Sequence, residues 1–205
     1  MPKSKQKKKQ DSTTKKTTDS KVCGIDYSIT SPAFTIYDGS NFNTYYLVAR
    51  DRDLVLGRET SSSLNPKLYP KYNTDMERYS RLASWICDEL MWQKRPPCAI
   101  ENYAYAATGR VFNIGENTGI LKYKLHKNGL MYETVTPQIV KKFATGKGNA
   151  KKVDMAEAFT KETGLDLTGI KQWSDISDSY WISRWLYQKS NEDTSIIHDS
   201  KNRSS

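Results

Sequence analysis

Short apolar runs separated by turn residues dominate the first third of the chain. VCGID at 22–26, AFTIYD at 33–38 and TYYLVAR at 44–50 each have the length and the β-branched and aromatic content of a strand. Asp38-Gly39 and Ser40-Asn41 supply turn chemistry between the second and third, which predicts an antiparallel meander. Residues 51–72 hold no steady period. With two Pro and several Ser and Asn in TSSSLNPKLYPKYN, the stretch is expected to be a long loop. A helix is predicted from Asn73 or Thr74 to about Gln93, on the stripe Met76, Tyr79, Leu82, Ala83, Ile86, Cys87, Leu90, and RPP ends it. CAIENYAY at 98–105 and LMYETVT at 130–136 are two further strands, separated by a helix over 115–127. Pro137 opens a short helix to Phe143. Helices over 151–163 and from Ser174 to about Lys189 follow, with a Gly-containing loop, TGKGNA, at 145–150.

The predicted order is βββ-α-β-α-β-α-α. That order implies an α/β fold: a mixed five-stranded sheet, three strands antiparallel and then parallel ones, with helices on both faces. The first strand is expected near the centre of the sheet. Three divisions are expected: a disordered basic tail over 1–21, one domain over 22–190, and a loose polar tail over 191–205.

Charge is concentrated at the start. Residues 1–22 carry eight Lys against two Asp, +6 of the +9 carried by all 205 residues. Such a segment serves as a phosphate-binding arm, a nuclear address or a solubilising tail, and composition alone leaves the three open. Three cysteines without a CxxC pair and no signal peptide predict buried thiols in a reducing, intracellular compartment, or the nucleus if the tail is an address. His126 and His198 lie too far apart in sequence to predict a zinc site. No apolar stretch has the ~20 residues that span a bilayer, so no membrane association is expected.

Four acids sit among apolar neighbours. Asp26 ends the first strand, and Glu101 follows Ala99-Ile100 in the fourth. Asp175 and Asp178 open the last helix on one face, and Trp181, Ile182, Trp185 and Leu186 continue the Asp178 side. Each has an ordinary reading: Asp26 in a turn, Glu101 paired with an Arg, Asp175 at a helix start. Together they place carboxylates from three elements where burial and repulsion would be costly without a cation. Oxygen-only ligands suit Mg²⁺ or Mn²⁺, and such a cluster matches the needs of a two-metal phosphodiesterase.

GID-x-S after the first strand, AIE in the fourth, TGKGNAKK before a helix and DISD in the last helix, in that order, resemble the RuvC-type Holliday junction resolvases over roughly residues 22–189. The resemblance implies a ribonuclease H-like fold and a homodimer. It also implies metal-dependent cutting of four-way DNA junctions by paired symmetric nicks that leave 5′-phosphate and 3′-hydroxyl ends. It casts Asp26, Glu101, Asp175 and Asp178 as ligands of two Mg²⁺ (or Mn²⁺) per site, with no small-molecule cofactor. Lys152 would be the basic catalytic group, with Lys147 and Lys151 beside it on the DNA. Tyr103 or Tyr105 would stack on an unpaired base, and Ile120, Leu121, Tyr123 and Leu125 would form the dimer face. Tyr27 in place of the bacterial Pro, the long 51–72 segment and the basic tail fit a phage, viral or otherwise divergent branch. Alternatives on the same fold are a nuclease for RNA–DNA hybrids or other branched DNA, and a binding module without activity.

Overall fold

The computed structural model describes residues 21–102 and 111–202, with side chains through 193. Among the described residues six strands form one sheet: β1 (Val22–Asp26), β2 (Ala33–Tyr37), β3 (Phe42–Val48), β4 (Leu64–Leu68), β5 (Cys98–Glu101) and β6 (Tyr132–Val135). Their spatial order is β4-β3-β2-β1-β5-β6. β1, β2 and β3 pair antiparallel, as expected. β5 runs parallel to β1, and β6 parallel to β5. The helices are α1 (Asp51–Thr60), α2 (Asp75–Trp92), α3 (Val111–Lys127), α4 (Pro137–Thr145), α5 (Lys152–Thr163) and α6 (Trp173–Asn202).

α1 and β4 occupy the stretch expected to be a loop, and β4 adds a sixth strand parallel to β3. A parallel partner needs a crossover, and α1 provides it. Gly57 lets α1 come close to the sheet: a Cβ there would overlap the Tyr46 hydroxyl and lie 2.9 Å from Pro66 Cγ. α6 also outruns the expected stop near Lys189. Gln188 Nε2 donates to Glu192 Oε1 at 2.8 Å, an i,i+4 pair that carries the helix onward.

Both faces of the sheet are covered. Cys23, Ile25, Phe34, Ile36, Leu47, Cys98 and Ile100 pack with α2 and α3 residues such as Leu82, Ile86, Leu121 and Leu125. Val22, Ala33, Tyr46, Val48 and Ala99 pack with Phe159, Ile176, Trp181, Ile182 and Leu186. The period of two along each strand sorts these residues. Gly24 and Asp26 therefore share the α6 face, and so do Ala99 and Glu101. Parallel pairing of β1 and β5, with Ile25 opposite Ile100, brings both acids to the same end of the sheet. All three cysteines are buried and free. No helix among the described residues is long and apolar enough to cross a membrane.

Candidate active site

Gly24 sets the depth of the site. A Cβ there would overlap Ser183 N and Ser179 O and lie 2.8 Å from the Ile182 carbonyl carbon, so the α6 backbone rests directly on β1. Ser179 and Ser183 are small and fully buried at this crossing. Ser179 Oγ is within 2.9 Å of Thr35 Oγ1, which in turn is 2.8 Å from Thr44 Oγ1, so a chain of hydroxyls joins α6 to β2 and β3. This close seat carries the first turns of α6, with Asp175 and Asp178, alongside the end of β1.

The four acids act on one another. Burial first, then Glu101, Asp178 and Asp175, hold the Asp26 carboxyl well above the usual range, and Lys152 opposes them. Burial and Asp178 push Glu101 up to about 7, against Lys141 and Lys152. Burial pushes Asp178 up to about 6, against the pull of Lys152; Asp175 raises it further and Lys141 lowers it. Asp175 is raised mainly by burial, offset by a hydrogen bond from Ser31 Oγ to its Oδ2 at 2.9 Å and by Lys152. Lys152 Nζ lies 3.4 Å from Ser174 Oγ at the start of α6. Among the described residues, however, no three carboxylate, imidazole or thiol groups stand close enough to hold an ion as placed.

Beside Asp26 and Glu101 a cavity of 350 Å³ opens between the Tyr27–Thr30 turn, Asn102 and the α3 residues Ile114 and Thr118. The turn is pinned from outside. Tyr69 Oη donates to the Ile29 carbonyl at 2.6 Å, and Arg78 Nη2 donates to the same oxygen at 2.8 Å. Arg78 Nε also donates to Tyr69 Oη at 2.9 Å, and its guanidinium lies over Tyr72, 5.0 Å from the ring centre. Sequence reasoning missed this clamp because Tyr69 falls in the supposed loop and Arg78 lies off the apolar stripe of α2. It missed Lys141 for the same reason: one lysine of a Lys-Lys pair on an amphipathic helix carries no mark of facing acids.

The other expected site residues are placed differently. Lys147 and Lys151 are exposed, in the loop before α5 and at its start. The Lys151 amide donates to Asp154 Oδ2 at 2.7 Å, an N-terminal cap. Tyr103 and Tyr105 lie outside the described residues. Leu121 and Leu125 are not available to a partner: both are fully buried against α2 in the chain's own core, and Ile120 is partly buried there. Of those four only Tyr123, 61% exposed, faces outward, on a side of α3 that also carries Phe112 at 85%.

No protein-family model matches the chain. Two solved structures from Thermus thermophilus resemble it. RuvC in complex with Holliday junction substrate is 18% identical, with a TM-score of 0.60 over 84% of this chain and 96% of that one. RuvC in a second structure is 17% identical, with a TM-score of 0.52 over 80% and 96%. The chain has the RuvC fold. Nearly all of RuvC finds a counterpart here, since 96% of that chain is covered.

Proposed function

We propose that the protein is a metal-dependent, structure-selective endodeoxyribonuclease that resolves four-way DNA junctions by paired nicks. The observation that carries this reading is the gathering of Asp26, Glu101, Asp175 and Asp178 at one end of a RuvC-like sheet, with Lys152, and for Glu101 and Asp178 also Lys141, opposing their repulsion. The RuvC neighbour bound to a Holliday junction supports four-way DNA as the substrate.

Donor chemistry fits Mg²⁺ or Mn²⁺. Every candidate ligand is a carboxylate oxygen, and a divalent cation would relieve the burial and mutual repulsion that two lysines only partly offset. Asp26, Glu101, Asp175 and Asp178 would hold the ions, drawn inward by side-chain rotation. Divalent ions in such a cluster supply water activation and charge neutralisation at the leaving 3′ oxygen. Asp26 feels all three of the other carboxylates and would be a shared ligand. Ser31 holds Asp175 through its Oδ2, and Asp175 would orient the attacking water. Lys152 and Lys141 would offset negative charge building on the phosphate. The clamp of Tyr69 and Arg78 on Ile29 keeps the Ser31 turn in place.

A homodimer would present two such sites to a two-fold symmetric junction. The outer side of α3 supports this reading: Phe112 and Tyr123 flank Gly115 and Gly119, whose α-carbons face open space. This face replaces the Leu121 and Leu125 side. The test is incubation with a synthetic four-way junction, a fork and a plain duplex, with and without Mg²⁺. Paired symmetric nicks confined to the junction and dependent on Mg²⁺ are expected. Cutting of RNA–DNA hybrid alone, or binding without cutting, would replace this reading.

A further inference from the structure

We propose a second nucleic-acid contact at the pole of the sheet opposite the acids, in which a single strand stacks a base on Trp92 and sets its phosphates on Lys21, Lys94 and Arg95. The proposal does not require that the acids cut anything.

Strand direction fixes the location. Asp26 and Glu101 lie at the C-terminal ends of β1 and β5, whereas Lys21 and Pro96-Pro97 lead into their N-terminal ends. Five residues of strand, about 16 Å, separate Lys21 from Asp26. α2 ends on this pole. Trp92 is 83% exposed, and Lys94 and Arg95 beside it are also exposed. Residues 92–97 and Lys21 line a recess of 650 Å³.

The backbone makes this more than a frayed helix end. Lys94 (φ 67°) and Arg95 (φ 59°) are consecutive left-handed residues. That region is unfavourable for any residue with a Cβ, and glycine would adopt it without steric penalty. Surrounding contacts hold the conformation. Arg95 N donates to Leu90 O at 2.9 Å, Lys94 N to Met91 O at 3.3 Å, and the Pro97 carbonyl accepts from Cys23 N at 2.9 Å. Lys21 Nζ donates to Gln93 Oε1 at 3.3 Å, which joins the start of β1 to the same corner. Cations near a helix C-terminus favour the dipole, but the dipole requires neither left-handed cations nor a bare indole. Two acids border the patch: Asp38, whose carboxyl feels Lys21, and Glu89, which accepts from Gln93 Nε2 at 3.1 Å.

Bases within a duplex are already stacked on both faces, whereas an unpaired base is free to stack on an exposed indole, which favours a single strand over duplex. One ring among cations also lacks the broad apolar face of a helix that inserts into lipid.

The test uses the full chain in EDTA, where nothing is cut. Binding of labelled oligothymidylate is followed by anisotropy at several salt concentrations. W92A should weaken binding about ten-fold. The double variant K94G/R95G should also weaken it and reduce the slope of log affinity against log salt by about 1.4, while melting no lower than the parent. R58A, which removes an exposed cation of α1 outside both sites, should bind oligothymidylate as the parent does. Unchanged affinity in both W92A and K94G/R95G overturns the proposal, as does an equal loss of binding in R58A. It is likewise overturned if those variants lose binding only to phosphatidylserine vesicles. Failure to cut junctions would overturn the nuclease reading and leave this one standing.

Discussion

Gly24 and Ser183 touch through backbone alone: a methyl group on Gly24 would overlap the Ser183 amide nitrogen. The close seat of α6 on β1, and with it the approach of Asp178 to Asp26, depends on a missing side chain. Gly24→Ala must push a helix, because the overlapped atoms are main chain. The expected cost is about 1–3 kcal/mol of stability, measured by urea unfolding. Mg²⁺ affinity of whatever remains folded should fall with it, measured by calorimetry.

The acid cluster makes the metal-free protein less stable as pH rises. Glu101 at about 7 and Asp178 at about 6 lie above their ordinary values of 4.5 and 3.8. The folded state therefore holds protons that the unfolded state has released. The contribution is complete below the unfolded values and is lost as pH rises through 6 to 7. In EDTA, the urea midpoint should fall between pH 5 and pH 8, with Glu101 accounting for about 3 kcal/mol at most. E101Q and D178N should flatten the profile. Mg²⁺ binding should tighten over the same range and release protons.

Lys141 and Lys152 both lower Glu101 and Asp178. Removing either should leave those carboxyls harder to ionise. K141A and K152A are each expected to slow single-turnover cutting about 10²–10³-fold. The acidic limb of the rate profile should move to higher pH. Loss of rate with an unmoved limb would place the lysine elsewhere.

Arg78 and Tyr69 grip one carbonyl, that of Ile29. R78A should keep α2 intact yet loosen the turn that carries Ser31. Faster hydrogen exchange confined to residues 28–31, with weaker Mg²⁺ binding, is the expected pair of results. S31A should reproduce the second result without the first.

Phe112 and Tyr123 stand out on α3 with small residues between them. F112D and G119R should each yield monomers at concentrations where the parent sediments as a dimer. L121D should unfold the protein, because Leu121 is core.

The acids were legible in the sequence because a carboxylate between Ile and Asn in a strand, or on the apolar side of a helix, conflicts with burial unless something compensates. The meander was legible from Asp38, whose Oδ1 accepts from the Ser40 and Asn41 amides at 3.0 and 2.7 Å. α1 and β4 were not. Gly57 sits inside α1, Val55 and Leu56 are exposed, and Pro66 interrupts the strand pattern of β4. Such features normally mark loops. Here the glycine accommodates Tyr46, and the proline is tolerated because its strand has no outer neighbour. The burial of Leu121 and Leu125 was not legible, because α3 has two apolar sides and spacing alone does not say which one α2 takes.

β4 also decides how the sheet ends. A bare β3 would offer seven residues of open main chain to any passing strand. Instead the border is a five-residue strand whose Pro66 lacks an amide hydrogen and whose Lys67 is exposed. At the opposite border β6 has only four residues, and Glu133 there is paired with Lys189. Both margins are poor templates for lateral growth. Copies of the chain are thereby steered away from edge-to-edge stacking, and the helical surfaces remain as the place where one molecule can meet another.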